Sequence, residues 1–196
     1  MFDHFNRRRF MTTVAATWAG LGIADGASAG PELQATPACE DHDATLAETE
    51  GPFFKPRSPE RSDLRDLGVT GTLVELTGMV LTRRCRPVER ALVDLWHADD
   101  DGNYDNAGFR LRGHQFTDAQ GRYRFVTIMP GAYEGRTRHY HVKVQPTGGR
   151  LLTTQLYFPG EAKNQSDGLF RSELVMKVAK VEEGLAGRFD FVLDIR

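Results

Sequence analysis

His139-Tyr140-His141-Val142-Lys143-Val144 alternates side chains with a period of two. In a strand, residues two apart share a face, so His139, His141 and Lys143 point one way. Tyr140, Val142 and Val144 point the other way, toward a core. Segments on both sides repeat the theme. Ala91-Leu92-Val93-Asp94-Leu95-Trp96 has the apolar content of a buried strand, and Arg122-Tyr123-Arg124-Phe125 alternates strictly. Gly71 to Leu81, Leu151 to Phe158 and Arg171 to Lys180 also read as strands. Arg188 to Ile195 closes the chain, with Phe189, Phe191, Leu193 and Ile195 on one face and Arg188, Asp190 and Asp194 opposite.

Turns punctuate these runs at Asp100-Asp101-Gly102-Asn103, Ala119-Gln120-Gly121 and Met129-Pro130-Gly131, and Glu182-Glu183 reads as a solvated turn. Short strands with regular turns predict an all-β fold, an antiparallel sandwich or barrel whose long loops carry the site. Gly113 and Gly121 read as turn glycines, and Trp96 as core.

Composition agrees. With 40% hydrophobic and 27% charged residues, the chain of 196 residues is an ordinary globular protein of one or two domains. Lys and Arg number 25 against 27 Asp and Glu, so the balance points away from nucleic acid. Prolines 31, 37, 52, 56 and 59 break helix formation over residues 30–68, which read as an extended arm. The β domain is then expected over residues 69–196.

Residues 1–29 read as an export signal. Arg7-Arg8-Arg9-Phe10-Met11 precedes a weakly apolar, Ala- and Gly-rich run, and Ala27-Ser28-Ala29 is a small-x-small cleavage site. Asn6-Arg7-Arg8-Arg9-Phe10 is similar to a twin-arginine motif, with Asn6 and Met11 as mild departures. The expected destination is periplasmic or extracellular, with no membrane span in the mature chain. Export permits a disulfide between Cys39 and Cys85, the only two cysteines. Closing that loop stabilises by about 4 kcal/mol in the chain-entropy model.

Two imidazoles on one strand face are a common way to hold a metal ion. Several completions of the shell are open at this point. Asp94, Asp99 or Glu134 could add a carboxylate, and His97 or His114 a third imidazole around zinc. His97 and His114 also read simply as polar residues at strand ends. Tyr104, at the turn Asp101-Gly102-Asn103-Tyr104-Asp105, and Tyr133, six residues before His139, offer phenols instead. A trivalent ion lowers a phenol's pKa and binds the phenolate, a hard anionic donor suited to iron(III).

At this point the sequence resembles the intradiol ring-cleavage dioxygenases, the family that includes protocatechuate 3,4-dioxygenases. The resemblance runs from about Glu50 to Phe158. It rests on Glu50-Gly51-Pro52-Phe53-Phe54, on Asp94-Leu95-Trp96-His97-Ala98-Asp99 leading to Tyr104, and on Arg112-Gly113-His114-Gln115. It continues through Thr127-Ile128-Met129-Pro130-Gly131-Ala132-Tyr133, Gly135-Arg136-Thr137-Arg138-His139-Tyr140-His141 and Leu152-Thr153-Thr154-Gln155-Leu156-Tyr157-Phe158.

The resemblance implies one non-haem Fe(III) per chain, held by Tyr104, Tyr133, His139 and His141 with a solvent-derived hydroxide. It implies that Tyr133 leaves the metal and takes a proton from the substrate. Arg136 takes the place of the catalytic arginine, Gln155 that of its active-site partner, and Gly51 and Pro52 that of a segment lining the substrate pocket. The partners implied are a small aromatic diol and O2, and homo-oligomerisation is compatible with the pattern. Tyr140 replaces the usual Ile, and Phe53 stands where some members carry Tyr. Two other classes stay in view: an exported β-sandwich binding module with a non-catalytic metal site, and a zinc hydrolase.

Overall fold

The computed structural model describes residues 43–195. The segment 1–29 read as an export signal, Cys39 and the first part of the arm, residues 30–42, lie outside the described residues. Among the described residues, nine strands form two sheets. In chain order these are β1 (Leu73–Thr82), β2 (Leu92–Trp96), β3 (Arg112–Phe116), β4 (Arg122–Ile128), β5 (His139–Gln145), β6 (Leu152–Tyr157), β7 (Lys177–Val181), β8 (Gly184–Arg188) and β9 (Phe191–Leu193). One sheet runs β4-β1-β8-β7 with β9 added beside β1, and the other runs β3-β2-β5-β6. The expected all-β sandwich is what forms.

The period-two patterns fill the space between the sheets. Val74, Leu76 and Val80 of β1, Tyr123 and Phe125 of β4, and Phe191 of β9 meet Val93 and Leu95 of β2, Tyr140, Val142 and Val144 of β5, and Leu156 of β6. Each large apolar side chain buried there contributes about 1.5–3 kcal/mol. Tyr140 fits this core because its hydroxyl donates to the Ile128 carbonyl at 2.9 Å, so the phenol brings no unpaired polar atom inside.

Several local expectations are corrected. Two pairings are parallel: β1 runs with β8 and with β9. The segment 171–180 is split, with a short 3-10 turn at Ser172–Leu174 before β7 begins at Lys177. Residues 188–195 are not one strand. The chain breaks between β8 and β9, and Asp190, expected outside, is buried where its carboxylate accepts the Met79 N–H at 2.9 Å. Gly113 lies inside β3 rather than in a turn. A Cβ there would come within 2.6 Å of Leu64 Cδ2, so the arm's approach to the sheet requires glycine. Gly121 is the turn glycine it resembles, at φ +72°.

The arm explains how the second sheet is buried on both faces. Its backbone crosses all four strands. Glu48 N–H donates to Thr153 O of β6 at 2.9 Å, and Ser58 Oγ–H donates to Asp94 of β2 at 2.8 Å. His114 of β3 exchanges bonds with Pro59 and Arg61, and Leu64 and Ser62 tie to Val126 of β4. The core side of β5 is thus sealed by the other sheet, and its histidine side by the arm. Cys85 stands at φ 56° in the turn after β1.

Candidate metal centre

One row across the second sheet places the site. Arg112, Trp96, His141 and Gln155 are direct partners on β3, β2, β5 and β6. Two pairs further along, His139 faces Tyr157. All these side chains emerge on the face under the arm, as the alternation in β5 requires.

The two tyrosines reach this face from loops built for the purpose. Asp99 Oδ1 accepts the N–H groups of Asn103 and Asp101 at 2.8 and 3.2 Å, and Asp105 accepts those of Ala107, Gly108 and Arg110. These side chain–backbone bonds fix the loop on both sides of Tyr104. Tyr133-Glu134-Gly135-Arg136 is a tight turn with positive φ at both central residues, 32° and 80°, and the Arg136 N–H returns to Tyr133 O at 2.5 Å. Tyr133 and Arg136 therefore flank one turn and reach the site together. The two loops touch: the Gly131 N–H donates to Asp99 O at 2.7 Å, and a Cβ on Gly131 would lie 2.4 Å from Gly102 N.

Four donor atoms converge. Tyr104 Oη is 3.4 Å from Tyr133 Oη, Tyr133 Oη is 3.5 Å from His139 Nε2, and His139 Nε2 is 3.1 Å from His141 Nε2. The phenol contacts are long for hydrogen bonds. Donors that each lie about 2.1 Å from one shared ion are spaced about 3 Å apart, which suits this set. His139 Nδ1 lies 2.7 Å from the Thr137 carbonyl, which only accepts, so Nδ1 carries the proton and Nε2 presents its lone pair. Burial lowers the pKa of His139 to about 4 and holds His141 well below its usual value, with further depression from the Arg136 charge on each. Both imidazoles are therefore neutral at ordinary pH, the form that ligates. Burial also raises the Tyr104 phenol far above its usual value, so only a strong local cation makes it a phenolate. Two neutral imidazoles and two phenols converging on one point fit a hard trivalent ion such as iron(III).

The other candidates are not brought in. His97 is buried away from the four donors, its Nδ1–H donating to Ala98 O at 2.7 Å and its Nε2 accepting from Thr127 Oγ1 at 2.6 Å. His114 bonds Ser58, and Asp94 is held by the same hydroxyl. Asp99 caps its loop and Glu134 is exposed. Among the described residues no group of three His, Cys, Asp or Glu could hold a metal. Neither His97 nor His114 therefore completes a zinc site with His139 and His141.

Around the donors, rings and cations build the pocket. Trp96 stacks on His141 at 5.0 Å and 8°, and Phe53 stacks on Tyr104 at 4.3 Å and 16°. Gly51 passes over His141: its Cβ would stand 3.2 Å from His141 Cε1. Pro52, next to it, is exposed. The arm is pinned here by Gln155 Nε2–H to Thr49 O at 3.0 Å, by Arg112 Nη1–H to Phe53 O at 2.7 Å, and by a Lys143–Glu50 ion pair. Lys143 lies 3.5 Å above the Phe54 ring, outside the donor cluster. Arg136 donates from Nη2 to Gln155 Oε1 at 2.5 Å and from Nε to Asp167 at 2.9 Å. Trp96, Arg112 and Asp167 were missed as site residues. The first two share the row of His141, a signal the paired strands hold once their register is known. A cavity of about 410 Å³ opens beside Tyr104 and Tyr133, lined by Phe53, Asn103, Asn106 and Ala132.

A family model described as "Dioxygenase" matches residues 49–195. The protocatechuate 3,4-dioxygenase beta chain of Burkholderia cepacia is 33% identical over 153 residues, 64% of this chain and 65% of its own length. A chlorocatechol 1,2-dioxygenase of Rhodococcus opacus is 29% identical, over 70% of this chain and 66% of its own length. The chain spans about half to two thirds of the length of these curated relatives. Among solved structures, the dioxygenase domain of a dioxygenase–carbohydrate-binding fusion protein from Streptomyces sp. SirexAA-E is 49% identical with a TM-score of 0.77. That match covers 79% of this chain and 100% of that one. The 3-chlorocatechol 1,2-dioxygenase structure from Rhodococcus opacus 1CP is 27% identical with a TM-score of 0.74, over 81% of this chain and 76% of that one. The family model covers most of the chain, and the relatives and the sandwich fold agree with it: this protein belongs to the intradiol ring-cleavage dioxygenase family.

Proposed function

We propose that the chain is a non-haem iron(III) dioxygenase that opens a catechol-type 1,2-diol between its two hydroxyl-bearing carbons, using O2, to give a cis,cis-muconate. The observation that carries this reading is the convergence of Tyr104, Tyr133, His139 and His141 on one point. These four side chains are assigned as the metal ligands. Iron(III) held there would supply Lewis acidity to the diol.

The chain's own residues do the rest. His139 and His141 stay neutral and fixed, His139 by its bond to Thr137 O. Tyr104, locked between two capped turns under Phe53, is the permanent phenolate. Tyr133 opens the tight turn that leads to Arg136, and its Oη would accept a proton from the incoming diol. Arg136 keeps a fixed positive charge beside the ring, where negative charge develops, and Gln155 holds its Nη2. Gly51 leaves room above His141, and the strap from Gly51 to Phe54, Pro52 included, shields the ring from bulk water. The substrate is a small aromatic diol, and the cavity beside the tyrosines admits a ring substituent. Residues 1–29 are proposed to direct the chain out of the cytoplasm by the twin-arginine route.

The test is product identity. Iron-loaded protein incubated with catechol and O2 is expected to yield cis,cis-muconic acid, with both oxygen atoms of one O2 added. Ring opening beside the diol, giving a semialdehyde, or absence of any O2 uptake sinks the reading. In the second case a binding module with a non-catalytic metal site takes its place.

A further inference from the structure

Asp167 lies in an irregular loop between β6 and β7, far in sequence from every proposed ligand. Its side chain is 1% exposed. A carboxylate so buried is costly unless donors surround it. They do: Oδ2 accepts Arg136 Nε–H and the Thr137 N–H, both at 2.9 Å, and Oδ1 accepts the Leu169 N–H at 2.9 Å. The Arg136 Nε–H is also 3.1 Å from Oδ1.

The same loop grips the site at two more points. Thr137 Oγ1–H donates to Asn164 Oδ1 at 2.7 Å, and Asn164 Nδ2–H donates to Phe158 O at 3.0 Å. The Tyr157 hydroxyl lies between Leu169 O at 2.7 Å and Gln155 Oε1 at 3.0 Å.

A guanidinium has five N–H donors in one plane. Asp167 takes the Nε hydrogen and Gln155 takes one Nη2 hydrogen, so bonds at two nitrogens fix the plane. The opposite edge, Nη1, is then presented in one orientation. Arg136 is itself only 17% exposed and its charge acts on His139 and His141, so that orientation is set inside the site.

We infer that Asp167 is a positioning residue: it aims Arg136 at the diol ring and acts on the reaction only through that arginine. The inference rests on the proposed function. It goes beyond the matched motifs, none of which contains Asp167.

The test compares iron-loaded wild type, Asp167→Asn, Arg136→Ala and the double variant, all as full chains. An amide at 167 must turn a donor toward Thr137, Leu169 or Arg136, which breaks the grip while keeping size. The iron-phenolate absorption band and iron content are expected to match wild type. The affinity for catechol without O2, read from the shift of that band, is expected to stay within about threefold. Turnover falls about 10–100-fold, the usual cost of losing a supporting partner. In the double variant Asp167→Asn adds less than twofold to the loss from Arg136→Ala, because the two act as a unit. In iron-free protein the Arg136 Nε–H resonance, slow to exchange in wild type, joins those of exposed arginines.

Turnover within threefold of wild type, additive losses, or loss of the iron band in Asp167→Asn each overturn the inference. The last outcome makes Asp167 a support for Thr137 and His139 instead. Should wild type cleave no diol, the functional reading fails. The Nε–H resonance then still decides whether Asp167 fixes Arg136.

Discussion

Gly51 sits at φ +70°, and a Cβ there would press on His141 at 3.2 Å from Cε1. Gly51→Ala combines backbone strain of about 1 kcal/mol with a methyl group pressed on an imidazole ligand. The variant is expected to fold, to melt a few degrees lower, and to hold less iron after dialysis. Full iron occupancy and unchanged turnover count against the placement of the arm. His97 makes a separate prediction about the core. Burial depresses its pKa to about 3, below the ordinary 6.5. The unfolded chain therefore takes up the proton first as pH falls below about 6.5, and stability is lost progressively down to about pH 3. The slope from one such group is at most about 1.4 kcal/mol per pH unit. Denaturant unfolding between pH 4 and 6.5 should show a shallower slope for His97→Gln than for wild type. Equal slopes mean His97 is not held neutral in the folded protein.

At the scale of elements, the site depends on two loops that share one contact. A Cβ on Gly131 would lie 2.4 Å from Gly102 N and 2.5 Å from Asp100 O, both backbone atoms that cannot swing aside. Gly131→Ala is thus predicted to part the Tyr104 loop from the Tyr133 turn while leaving both sheets paired. Far-ultraviolet circular dichroism should be unchanged, and the iron-phenolate band should weaken severely. A wild-type band in that variant contradicts the arrangement. The histidine face of β5 was legible in sequence because its period-two pattern is strict. β8, Gly184–Arg188, was not, since Gly-Leu-Ala-Gly-Arg carries no alternation and gains its place by running parallel to β1. β3 was hidden for another reason. Arg112, Gly113 and His114 look polar, but the arm covers them, so burial there comes from distant chain and not from local hydrophobicity. Asp167 was equally invisible, because nothing local in an irregular loop marks a carboxylate whose partner lies 31 residues away.

For the whole molecule, the division of labour is simple. The sandwich core gives a rigid sheet, the sheet gives two histidines and a row of supporting side chains, and the loops above it supply the phenols and the arginine. The arm closes the assembly over that same histidine face, pinned at Thr49, Glu50 and Phe53. The four donor residues could be singled out in sequence by family resemblance. Their convergence could not, since it depends on turns at Tyr104 and Tyr133 meeting through Gly131. If this convergence holds iron(III) through two phenolates, the visible spectrum of the iron-loaded full chain reports it, recorded before and after catechol is added without O2. A tyrosinate-to-iron(III) band is expected that shifts when the diol binds, is lost in His141→Ala, and is altered in Tyr133→Phe with iron retained. A colourless protein that binds no iron, or a band indifferent to Tyr104→Phe and Tyr133→Phe alike, would mean that these side chains do not hold the metal.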